Sequence, residues 1–149
     1  MTGVQTCALP IFTQHHPVRR SHRFHPLCHP DLLADRSQPL RTRLTVFYRD
    51  YTRAIFTYEW MRIFMFAGLA GERLNRRYLE HVRDLLLKPI LAELQEVSGK
   101  PPDVEDIWNL HGSLVYLGIR KFIYQLPVPD DVGPVIDRAI DRFLASFAD

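Results

Sequence analysis

The chain has 149 residues, the size of one ordinary domain. Its 46% hydrophobic, 24% charged and 11% aromatic content excludes a disordered or collagen-like protein, and two cysteines, Cys7 and Cys28, both ahead of any core-forming segment, exclude a disulfide framework. Of 19 basic and 17 acidic residues, residues 1–39 hold Arg19, Arg20, Arg23 and Arg36 against Asp31 and Asp35; the remaining 15 of each sign cancel, so the body carries no net positive footprint for a nucleic-acid backbone.

Met1 to Ile11 resembles the conceptual translation of a sequencing-library adapter and is set aside from fold reasoning. In residues 12–34 five of the seven histidines (His15, His16, His22, His25, His29) crowd among Pro17, Pro26 and Pro30. His22, His25, Cys28 and His29 have a ligand-like spacing. The interleaved prolines and the lack of a second ligand cluster favour an out-of-frame or structureless stretch, and no structural metal is expected. Residues 1–38 are thus read apart from a helical domain over residues 39–149.

From Pro39 onward apolar residues recur at helical spacing, which predicts an all-α bundle of about five helices. Leu40, Leu44, Phe47, Tyr51, Ala54 and Ile55 form the inner stripe of a first helix over about 40–56, with Arg41, Arg49 and Arg53 turned to water. Glu59 to Ala70 is apolar nearly all round and is expected to be surrounded. Asn75 to Val97 predicts a long amphipathic helix carrying Tyr78, Val82, Leu85, Leu86, Ile90, Leu94 and Val97 inward. Pro89 inside it lacks a donor and crowds the Leu85 carbonyl, so a kink is expected there. Ser98, Gly99, Pro101 and Pro102 mark a loop.

Asp103 and Asp106 resemble an acidic capping box for a helix running to about Leu126. Its Leu110, Leu117 and Tyr124 add an apolar surface beyond the face formed by Ile107, Trp108, His111, Leu114 and Ile119, a surplus that calls for a partner. Pro127 and Pro129 end it, and a last helix over about 134–147 aligns Val132, Ile136, Ala139, Ile140, Phe143 and Phe147.

The chemistry-bearing motifs are absent from the sequence. Gly112 and Gly118 lie within a helical stretch and Gly68 and Gly71 follow one, so no phosphate loop forms. Glu80 directly precedes His81, and Trp108 stands three before His111, which excludes the Glu-x-x-His pairs of a di-iron bundle. Ser98, Ser113 and Ser146 have no nucleophile-elbow context. No catalytic residue, enzyme activity or cofactor is expected. Glu59, Arg62, His81, His111, Tyr116 and Arg120 are instead candidates to line a small-molecule cavity, with Trp60, Phe66 and Trp108 as its walls. Each has a plainer alternative: internally satisfied histidines, an Arg62 to Glu59 pair one turn apart, and aromatics that serve only the core.

Residues 40–147 resemble the carboxy-terminal regulatory domain of TetR/AcrR-type transcriptional repressors. The resemblance rests on Leu-Thr-Val-Phe-Tyr-Arg-Asp-Tyr (residues 44–51), Glu-Trp-Met-Arg-Ile-Phe (59–64), Asn-Arg-Arg-Tyr-Leu (75–79) and Trp-Asn-Leu-His-Gly (108–112). It implies an effector cavity enclosed by the helices before the last two, for which Trp60, Arg62, Phe66, His81, Trp108, His111, Tyr116 and Arg120 are the candidate lining residues. It also implies a homodimer made by the last two helices, with Leu110, Leu117, Tyr124, Ile136, Ile140 and Phe143 at the interface. Nothing before Leu40 supplies the amphipathic helices of a helix-turn-helix, so operator binding is expected only of a full-length parent. A cytoplasmic location without a membrane partner goes with this expectation. The competing expectation is a helical module that binds another protein and has no small-molecule pocket.

Overall fold

The computed structural model describes residues 30–98 and 102–148, and the adapter-like opening, the five clustered histidines and both cysteines lie outside them. The fold is all-α: α1 (Pro30–Ala34), α2 (Leu40–Ile55), α3 (Tyr58–Leu69), α4 (Arg73–Val82), α5 (Lys88–Val97), α6 (Val104–Phe122) and α7 (Gly133–Ala145). Among the described residues no helix is long and apolar enough to cross a membrane. The short α1 lies upstream of Pro39 and plugs Leu33 into the core; five residues with one inward leucine leave no readable period.

Helix α2 runs through the centre and packs on α7, α1 and α6. Leu44, Phe47, Tyr51 and Ile55 are buried as the spacing predicts, and Tyr48 joins them. Arg41 and Arg49 point outward and bridge to α7, to Asp141 at 2.6 Å and Asp137 at 2.7 Å. Arg43 is the exception on this helix. Its guanidinium is buried, where it donates to the carbonyls of Leu33 and Gln38 and to Glu93 of α5.

Thr57 opens α3 by accepting the Trp60 N–H at 3.1 Å. The expectation that this segment is enclosed on all sides is corrected. Only Met61 and Ala67 are buried, while Ile63 and Tyr58 are half-exposed and Phe66 and Leu69 are 76% and 87% exposed. The reason is position: α3 lies at the margin of the bundle, with α4 and α6 as its main neighbours.

The helical stretch expected over residues 75–97 runs from Arg73 to Val97, and where a kink was expected the structure has a π-turn over Arg83–Leu87. There the Lys88 N–H reaches back five residues to the Arg83 carbonyl, which widens the helix one turn ahead of the prolyl ring at Pro89. Leu86 and Leu87 are both fully buried as a result.

The capping box of α6 forms as predicted. Asp103 accepts the Glu105 N–H at 2.9 Å, and Asp106 accepts the Asp103 N–H at 3.1 Å. The helix stops at Phe122, four residues before the expected end. Pro127 disfavours helical geometry at Leu126; the chain reverses through Gln125 at φ 55°, and the Leu126 N–H donates to the Arg120 carbonyl at 2.9 Å. Asp131 then accepts the Gly133 N–H at 2.8 Å, starting α7, which seats Ile136, Ile140 and Phe143 against α2 and α6.

Candidate functional site: a buried tyrosine and histidine cluster

The inward positions of α2, α4 and α6 hold more polar atoms than an aliphatic core would. Tyr48 and Tyr51 stand on α2, Tyr78 on α4 and His111 on α6, all of them buried. The Tyr78 hydroxyl donates to the Tyr51 hydroxyl at 2.8 Å, and the Tyr51 hydroxyl lies 3.3 Å from His111 Nε2. Within this cluster two buried polar atoms have no hydrogen-bond partner, His111 Nδ1 and the Tyr48 hydroxyl. Such atoms carry a desolvation penalty of about 1–3 kcal/mol each, so most proteins pair them.

The direction of the proton chain follows from counting donors. With Tyr78 donating to Tyr51, the single Tyr51 proton goes to Nε2, and the neutral imidazole keeps its own proton on Nδ1. The reverse polarity would strand the Tyr78 proton as well as Nδ1. One fewer buried group is stranded in the first arrangement, which is therefore preferred. Burial pushes the His111 imidazole down to about 4 and raises all three phenols above their ordinary range. The cluster is thus uncharged at neutral pH, with two stranded donors.

Aromatic rings enclose it. The Tyr51 ring lies 5.1 Å from His111 and 5.7 Å from Phe47, and Tyr48 lies 6.0 Å from His111. On one side Trp60 and Phe64 stack at 4.9 Å and both meet Tyr78 edge-on. On the other the half-buried Trp108 meets His111 edge-on at 5.8 Å. Among the described residues no group of acidic, histidine or cysteine side chains could hold a metal ion.

Of the eight candidate ligand residues, Trp60, Trp108 and His111 belong to this network. Arg62 is exposed on α3, where it donates to the Tyr58 hydroxyl at 2.6 Å and lies 5.0 Å over that ring. Arg120 donates to the Pro127 carbonyl at 2.8 Å. Phe66, His81 and Tyr116 are exposed. The cations therefore do not converge on His111. At the expected dimer face, Leu110, Leu117, Ile136, Ile140 and Phe143 are buried in the chain's own core, and Tyr124 alone is exposed. A twin would have to meet the outer sides of α6 and α7, where Trp108, Val115, Ile119 and Val135 are half-buried and Tyr116 is half-exposed.

Tyr48, Tyr51 and Tyr78 were missing from the sequence-based candidates. Tyr51 and Tyr78 stood on inward stripes there, and their phenols were the available signal: a tyrosine on a core face must find a hydrogen-bond partner. Comparison with known proteins gives no match to a family model, to a curated protein or to a solved structure.

Proposed function

We propose that the chain is the effector-sensing and dimerisation domain of a TetR-like transcriptional repressor. The observation that carries this reading is the Tyr48, Tyr51, Tyr78 and His111 cluster: a polar, aromatic-walled centre with two stranded donors at the junction of α2, α4 and α6. Binding sites for small molecules are mostly apolar with a few placed polar groups, and a ligand that satisfies those donors in one helix arrangement would favour that arrangement over others. The sequence resemblance of residues 40–147 supports the same reading.

A second reading, a protein-binding helical module, is favoured by the exposed face of α3 with Ile63, Phe66 and Leu69. Sedimentation of the 149-residue chain at micromolar concentration distinguishes them. The sensor reading requires a dimer that survives the Phe66→Ser, Leu69→Ser double variant. A monomer, or a dimer dissolved by those two changes, moves the assignment to the interaction module.

A further inference from the structure

We propose that the outer face of the α3 to α4 hairpin docks an acidic amphipathic helix of a partner protein. This face lies apart from the outer sides of α6 and α7, where the sensor reading places a twin, so the inference goes beyond that reading and is tested separately.

The hairpin is tight. Gly71 turns the chain at φ 70°, the Glu72 N–H donates to the Ala67 carbonyl at 2.9 Å, and the Asn75 amide donates to the Phe64 carbonyl at 2.7 Å. With those inner positions packed together, the outward positions of the two helices form one surface. Ile63, Phe66 and Leu69 recur at three-residue steps along α3 and are exposed, an apolar stripe on a helix about 18 Å long. On the same hairpin Arg62 of α3 and Arg73, Arg76 and Arg77 of α4 are exposed. Their charge is the second observation. Every arginine from Arg36 to Arg53 is paired with a carboxylate, and so is Arg83. Among the described residues the four arginines of the hairpin pair with none, and Arg62 rests on the neutral Tyr58 phenol. Residues 62–77 hold these four arginines against Glu72 alone.

The chemistry of the partner follows from both observations. An exposed apolar stripe on a helix fits the apolar side of a second helix, and the guanidiniums beside it pair with carboxylates flanking that side, a planar fork meeting a planar acid. A second copy of the chain would set the same four cations against themselves, which opposes association. An anionic bilayer presents negative charge everywhere and would also repel Glu59, Glu72 and Glu80, which are exposed on the same hairpin. A helix can place its acids opposite the arginines alone.

The test uses the full chain and a labelled peptide of leucine, alanine and glutamate, about 20 residues long so that it holds a helix, with its leucines on one side. Fluorescence anisotropy should show saturable binding about tenfold tighter than that of the same peptide with lysine for glutamate, weakening as sodium chloride rises from about 0.05 to about 0.3 M. Phe66→Ser with Leu69→Ser, and separately Arg73→Gln with Arg76→Gln and Arg77→Gln, should each weaken binding by about fivefold. All five side chains are exposed, and unchanged urea midpoints verify that the variants fold. Equal affinity for the lysine peptide, or binding unmoved by either set of substitutions, overturns the proposal. Absence of peptide binding overturns it as well: a chain that instead sediments with phosphatidylglycerol vesicles has a lipid-binding face there, and one that self-associates through Phe66 and Leu69 covers the face with a twin. Only that last outcome also removes the sensor reading.

Discussion

The guanidinium of Arg43 meets the carboxylate of Glu93 across the α2 to α5 interface while only 2% exposed, and two backbone carbonyls, of Leu33 and Gln38, complete its donor set. One buried cation thereby ties α1, the α1 to α2 connection and α5 to the central helix. Arg43→Met removes every one of these bonds and leaves the partly buried Glu93 carboxylate with only the looser contact to Arg36, 3.9 Å away. The expected loss is about 3–5 kcal/mol of folding stability, read as a fall in the urea midpoint at unchanged slope. A loss below about 1 kcal/mol would show that Glu93 and the two carbonyls find other partners.

Within the tyrosine cluster, two chemically identical substitutions should act in opposite directions. Tyr48→Phe removes a buried hydroxyl that has no partner, and stability should rise by about 1 kcal/mol. Tyr51→Phe removes the link between Tyr78 and His111, strands both, and should lower stability by about 1–3 kcal/mol. Thermal unfolding of the two variants side by side checks the sign.

The His111 imidazole adds an acid-sensitive component. Its folded value of about 4 lies below the ordinary 6.5, so between those limits the unfolded chain binds more protons than the folded one. Stability from this group is fully present above pH 6.5 and declines as the pH falls towards 4, by about 3 kcal/mol across the window. His111→Gln should flatten the urea-derived stability between pH 6.5 and 4.5 relative to the parent chain.

Two glycines of α6 should respond differently to alanine. A Cβ at Gly112 meets nothing within 4 Å, whereas one at Gly118 would lie 2.2 Å from Met61 Cε and 2.9 Å from the Phe56 ring. Gly112→Ala should therefore stabilise the chain by about 0.5–1 kcal/mol through helix propensity alone. Gly118→Ala forces two packed side chains to shift and should destabilise it by about 1–3 kcal/mol. Unfolding midpoints of both variants decide the matter.

The helical architecture was legible because it follows from local period and capping. The stripe of α2, the capping box at Asp103 and Asp106, and the irregularity before Pro89 each depend on residues a few positions apart. The site was legible only in part. Trp60, Trp108 and His111 were identified from residue type, but partnering depends on which helices face one another, and that placed Arg62 and Arg120 elsewhere. Arg43 lies outside the main apolar stripe of α2 and is buried only because α1 and α5 close over it. The apolar α3 read as a core helix because composition reports the wish for a neighbour, not its presence.

The π-turn at Arg83–Leu87 has a geometric corollary for the helix that contains it. Tyr78, Val82, Leu86, Ile90 and Leu94 recur every fourth residue and are all buried. In an uninterrupted α-helix of 3.6 residues per turn, each such step overshoots by about 40°, and the row would spiral away from the core by its fourth step. The wider loop takes up that excess rotation and keeps the row in line. Excising a single residue at Asp84 would regularise the hydrogen bonding yet swing Ile90 and Leu94 away from the interior, so the irregular stretch works as a phase corrector for the whole rod.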